Sequence, residues 1–384
     1  MKKTAIIVFL IIALAASAFG APKNIILFIG DGMGLATVAG ARISSQGPGG
    51  RLAMDTMPVS GFATTYSANA LITDSAAAGT ALATGTKTNN GMLGMTPDGK
   101  RLKSILEAAM GIKKSTGLVT TTTISHATPA SFASHVSSRG DETDIACQLL
   151  EDQVDVLMGG GMQFFAAKDQ PGSKRTDDLC PLAEAKAAGY TVATNSDELA
   201  AAKGPKILGL FENGYLTTKA PEPPLSTLTT KALDTLSKDK DGFFLMVEGG
   251  QIDFCAHAND FDGAVNQLLE FDRAVAAGLD YARKHGDTLV IVTADHETGG
   301  LTLLTNTEGQ LQPSWSSKGH TGVPVPIYAF GPGSEQFAGL MDNTDIPKKM
   351  AKMWGVKIGL LTADKPAAQV NTPAEKVPAL AAAH

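Results

Sequence analysis

Acids and histidines follow several short apolar runs of this chain. Asn24–Gly30 leads into Asp31-Gly32-Met33-Gly34. Phe243–Val247 leads into Glu248-Gly249-Gly250-Gln251-Ile252-Asp253, with His257 four residues on. Thr288–Thr293 leads into Ala294-Asp295-His296-Glu297, Leu118–Thr123 into His126-Ala127-Thr128, and His320 follows Lys318-Gly319. Mixed Asp and His ligands suit zinc, and an all-oxygen set of Asp, Glu and Thr suits magnesium. Each segment alone has an ordinary reading. Asp31 is a helix cap, Asp253 and His257 are an i, i+4 surface pair, Asp295-His296 is a turn, and His126 and His320 are loop residues. Together they point to metal, because carboxylates gathered at one place are costly unless paired or metal-bound.

The nucleophile candidate is Ser75, in Thr73-Asp74-Ser75-Ala76-Ala77-Ala78-Gly79-Thr80. It opens a helix of very small residues, whose first N–H groups and positive dipole end favour a phosphate. Either Asp74 or Ser75 can equally serve as a plain N-cap.

These residues need a frame. The runs named above, with Val59–Tyr66, Val154–Met158, Ile207–Leu210 and Pro326–Phe330, are short, β-branched and mostly apolar throughout. Strands covered on both faces read that way. Helical patterns lie between them at Ala76–Thr84, Leu102–Met110, Asp144–Glu151 and Phe261–Lys284. The alternation predicts an α/β fold, a three-layer sandwich with a largely parallel central sheet flanked by helices. In such sheets ligands bind beyond the carboxyl ends of the strands, where the acids and histidines fall.

Asp31-Gly32-Met33-Gly34, Thr73-Asp74-Ser75-Ala76-Ala77, Glu248 to Asp253, Thr293-Ala294-Asp295-His296-Glu297 and Gly319-His320-Thr321 resemble, in order, the motif set of the alkaline phosphatases. The resemblance spans roughly residues 23–330. It implies hydrolysis of phosphate monoesters through a phosphoserine at Ser75, in a homodimer with two zinc ions and one magnesium per chain. Asp253, His257 and His320 would hold one zinc, and Asp295 and His296 the second. Asp31 would bridge the second zinc and the magnesium. Glu248 and Thr128 would complete the magnesium site, with His126 beside it as ligand or water holder. Arg139 would clamp two phosphate oxygens. The chain departs from some members at two positions, His126 in place of an acid and Phe254 in place of lysine, tryptophan or histidine. Phe254 gives phosphate no charge-assisted hydrogen bond, which predicts weak retention of product. The competing readings are a phosphodiesterase or sulfatase of the same superfamily and a non-catalytic phosphate-binding protein. Relatives with the first two activities typically carry threonine or a modified cysteine where Ser75 stands.

The formal charges agree with a monoester. Asp31, Asp253, Asp295 and Glu248 against three divalent cations, with the Ser75 alkoxide and Arg139 cancelling, leave about +2, and a monoester is close to doubly negative. The chain has 384 residues and a net charge of −6, with no basic stripe, which argues against nucleic acid. Lys2 and Lys3, the apolar run Ala5–Ala16 and small residues up to Gly20 read as a signal peptide over 1–20 rather than a membrane anchor, so the protein is expected to be periplasmic or secreted. Residues 21–360 form the catalytic domain, 160–225 read as a surface insertion, and 361–384 are an Ala/Pro-rich tail. Export permits a Cys147–Cys180 disulfide, leaving Cys255 free.

Overall fold

A computed structural model describes residues 20–360; the expected signal peptide, up to Phe19, and the tail from residue 361 lie outside the described residues. The strands are β1 Asn24–Gly30, β2 Val59–Thr64, β3 Ser115–Thr123, β4 Val156–Gly160, β5 Thr191–Ala193, β6 Ile207–Leu210, β7 Phe243–Gly249 and β8 Thr288–Thr293, followed by β9 Glu297–Thr298, β10 Leu301–Thr305, β11 Leu311–Trp315, β12 His320–Thr321, β13 Val325–Phe330 and β14 Gly339–Asp342. Ten of them make one sheet in the order β14-β2-β13-β8-β1-β7-β3-β4-β6-β5. Only β13 runs against its neighbours, β2 and β8.

The order follows from burial. Every residue of β1, β7 and β8 is buried, and these three pair in parallel at the centre. Each is apolar through its middle because helices cover both faces. The longest helix, Phe261–His285, packs on the centre with Phe271, its ring 6.0 Å from Phe28 and edge-on to it. Helix starts follow capping chemistry. The helix expected from Leu102 begins at Ile105, because Ser104 and Glu107 form a capping box.

Two expectations are corrected. Residues 160–225 are not simply a surface insertion, since β5 and β6 lie within them and complete one end of the main sheet. Thr191–Ala193 is too short to announce itself as a strand. The Cys147–Cys180 bridge is absent, and all three cysteines are free. Cys147 Sγ instead accepts from the Arg175 guanidinium at 3.5 Å, a side chain also tied to Asp177 and to the Thr143 and Phe164 carbonyls. Among the described residues no helix is long and apolar enough to cross a membrane.

Candidate active site

The parallel centre brings the carboxyl ends of β1, β7, β8 and β3 to one edge. Asp31 follows β1, Glu248 lies at the end of β7, and Asp295 and His296 follow β8. The Gln251–Ala258 helix after β7 carries Asp253 and His257, while β12 returns His320 against β9. Asp295 and His296 sit on the turn between β8 and β9, and Asp295 Oδ1 accepts from the amides of Gly32 (3.1 Å) and His296 (2.9 Å). Gly32 has φ +70°, and a Cβ there would lie 2.8 Å from Asp253 Cα. Only glycine permits both the backbone and the approach.

Three groups result, Asp253 with His257 and His320, Asp31 with Asp295 and His296, and Asp31 with His126 and Glu248. Within each, one potential ligand atom per residue lies within 4.8 Å of the others. Asp31 is common to two of the groups. Thr128 is fully buried near the start of the Ala127–Ala130 helix, with its hydroxyl unpartnered.

The electrostatics call for cations. Both carboxylate oxygens of Asp31, Oε1 of Glu248 and Oδ2 of Asp295 are buried without a hydrogen-bond partner. Such orphaned anionic oxygens are costly unless a positive charge meets them. Burial, then the charges of Asp295, Asp253 and Glu248, push the Asp31 carboxyl well up. Burial also works to raise Asp253, yet the hydrogen bond from His257 and the charge of His296 hold it far below the carboxylate range. His257 is pushed up to about 9 by the same Asp253 contact. Burial and the neighbouring His296 lower His320. Carboxylates and imidazoles thus share protons for want of a stronger charge, and the donor set fits divalent metal ions.

Ser75 is the first residue of the Ser75–Thr84 helix, and Asp74 is the cap, accepting from the Ala77 amide at 2.9 Å. The choice left open by the sequence is therefore settled, and the Ser75 hydroxyl is free to face His296 Nε2 at 3.2 Å. The same Nε2 lies 3.0 Å from Asp295 Oδ2 and 3.5 Å from Asp31 Oδ1. Arg139 reaches the site from a loop whose amide donates to Gly91 O. Its Nη1 pairs with Asp74 Oδ2 at 3.2 Å, and its Nη2 donates to His126 Nε2 at 3.0 Å.

The structure brings together Asp31, His126, Glu248, Asp253, His257, Asp295, His296 and His320, with Ser75 beside His296 and Arg139 beside His126. Sequence reasoning missed the part of Asp74 in holding Arg139. It also missed Thr298, whose buried hydroxyl donates to Asp253 Oδ1 at 2.5 Å and meets His296 Nδ1 at 3.2 Å. Asp74 adjoins the candidate nucleophile, which is a usable signal; a threonine two residues past His296 gives none.

A family model described as alkaline phosphatase matches residues 22–313 and 302–356. The chain belongs to the alkaline phosphatase family. It is 36% identical to alkaline phosphatase 4 of Bacillus subtilis, over 84% of this chain and 87% of that one. It is 38% identical to the streptomycin-6-phosphate phosphatase of Streptomyces griseus, over 84% and 88%. The solved alkaline phosphatase from the Antarctic bacterium TAB5 superposes with a TM-score of 0.80 at 35% identity, covering 88% of this chain and 99% of that one. As a member of the alkaline phosphatase family the chain is a metal-binding hydrolase of phosphate monoesters. The phosphodiesterase, sulfatase and binding-protein readings are not favoured.

Proposed function

We propose that phosphate monoesters are cleaved in two displacements at Ser75, with two zinc ions and one magnesium per chain. The observation that carries this reading is the Ser75 hydroxyl, 3.2 Å from His296 Nε2 of the Asp31, Asp295 and His296 group. Asp253, His257 and His320 would hold the first zinc, Asp295 and His296 the second, and Asp31 would bridge the second zinc to the magnesium. Glu248 and Thr128 would hold the magnesium, with His126 alongside. When bound, the zinc ions would lower the pKa of the serine hydroxyl and offset charge on the leaving oxygen.

The chain's own residues do the rest. Arg139 takes two phosphate oxygens in its planar fork, which Asp74 steadies. The N–H groups opening the Ser75 helix face the anion. Ser75 Oγ gives up its proton and forms a bond to phosphorus; the bond to the ester oxygen breaks, its electron pair stays on that oxygen, and the oxygen takes a proton from water to leave as the alcohol. Water then hydrolyses the phosphoserine, releasing phosphate and restoring the hydroxyl.

The assembly is read as a homodimer. At the sheet edge β14 places Leu340 in register with Phe62 of β2, and both side chains are exposed, at 68% and 42%. Such an apolar pair on an unpaired edge suits a second copy. Lys2, Lys3 and the apolar run after them support export to the periplasm or medium.

Metal analysis with an activity titration tests the proposal. About two zinc and one magnesium per chain are expected, with activity lost to a chelator and restored only by both ions together. Acid quenching with labelled substrate should leave label on the wild type and none on Ser75→Ala, whose turnover should fall by at least roughly a thousandfold with metal content unchanged. A Ser75→Ala protein that retains full activity would refute the nucleophile.

A further inference from the structure

We propose that Tyr215 and Phe254 form an aromatic wall at the mouth of the active site, taking a planar ring carried by the phosphate monoester. The proposal rests on the phosphomonoesterase reading and names a substrate class for it, ring-bearing esters such as nucleoside monophosphates.

The two rings are 4.8 Å apart by centroid and tilted by 53°. Both stand edge-on to the His126 ring, Tyr215 at 6.0 Å and Phe254 at 6.2 Å. His126 in turn is hydrogen-bonded to Arg139, the phosphate clamp. The aromatic pair therefore begins one imidazole away from the guanidinium. An ester held by Arg139 would have this pair as a neighbour on the His126 side.

Core packing does not account for Tyr215. Its side chain is 45% exposed, yet the backbone beside it is fastened to the elements that build the site. The Leu216 amide donates to Thr121 O at 3.1 Å, and the Gln251 side-chain amide donates to both the Leu216 and Thr121 carbonyls. Gln251 opens the helix that carries Phe254, Asp253 and His257. One residue thus ties the two rings to a common base. A ring held in place before the ligand arrives loses little freedom on stacking, so the stacking energy appears in selectivity.

The test compares kcat/KM for AMP and for glycerol 3-phosphate on the metal-loaded enzyme. Both are alkyl phosphates, so the difference between them reports the ring rather than the leaving group. Tyr215→Ala should lower the value for AMP roughly tenfold and that for glycerol 3-phosphate less than about twofold. Tyr215→Phe, which keeps the ring, should stay within about twofold of wild type on both. Equal losses on the two esters, or an unchanged AMP value in Tyr215→Ala, would overturn the wall. Turnover of neither ester by the wild type would overturn the phosphatase reading instead. Calorimetric binding of AMP to wild type and Tyr215→Ala would then still decide the wall, with equal affinities ruling it out.

Discussion

Arg139 Nη2 lies 3.0 Å from His126 Nε2, and a guanidinium can only donate, so the imidazole accepts at that nitrogen. A neutral His126 then keeps its hydrogen on Nδ1, the nitrogen that stands 3.9 Å from Glu248 Oε1. Ligating a metal through Nδ1 would require moving that hydrogen to Nε2, against the Arg139 donor. His126 can support the phosphate clamp or the third cation directly, not both.

An aspartate at this position would resolve the competition in favour of the cation. His126→Asp adds a carboxylate beside Asp31 and Glu248. Magnesium should then bind roughly tenfold more tightly, read from the magnesium dependence of activity at fixed zinc and from metal retained after dialysis. Unchanged retention would show that position 126 does not address the third site.

Phosphate release should depend on Phe254. Its ring offers no donor beside the His126–Arg139 pair. Phe254→Lys supplies a charge-assisted donor, and the inhibition constant of phosphate should fall about tenfold, with a lower kcat if release limits turnover. Product inhibition measured on both proteins checks this, and equal constants would remove Phe254 from the account.

The sheet edge provides a third prediction. Leu340→Asp places a charge in the exposed apolar pair with Phe62. Light scattering after gel filtration should show a dimer for wild type and a monomer for the variant. A dimeric variant would move the interface elsewhere.

Stability should carry a pH signature at Asp152. This residue caps the C-terminus of the Glu142–Glu151 helix, and its Oδ2 is buried without a partner. Burial, then the charge of Glu107, push its carboxyl up to about 6. The folded pKa is above the unfolded one, so this group's contribution is fully present below about pH 4 and lost as pH rises through about 6. The helix dipole disfavours the same negative charge. Asp152→Asn should therefore raise Tm by roughly 2–4 °C at pH 8 and by about half as much at pH 5. A shift of equal size at both pH values would contradict the assignment.

The central strands were legible because burial on both faces leaves an unbroken apolar run. Asn24–Gly30, Ile207–Leu210 and Thr288–Thr293 were read to the residue. Most of the acids and histidines were legible for a related reason, since they directly follow or closely succeed such a run; His320, which does not, stood out only through Gly319-His320-Thr321. Thr191–Ala193 and Gly339–Asp342 were not, because both are short and only partly buried, which leaves no continuous apolar run to detect. Asp74 looked like a cap and is one, but its bond to Arg139 spans 65 positions and leaves no local trace.

With Arg139 added by the family resemblance, the sequence by itself pointed to the candidate groups, Ser75 and the acids and histidines, and to the parallel sheet that presents them. Those are properties of residue type and local period. Only the tertiary structure decided that Asp74 rather than Ser75 caps the helix, and that His126 faces Arg139. It also set Tyr215 beside Phe254 and left Cys147 with Arg175 instead of Cys180. Each of these depends on distances of a few ångströms between segments far apart in the chain, which packing fixes and sequence spacing does not.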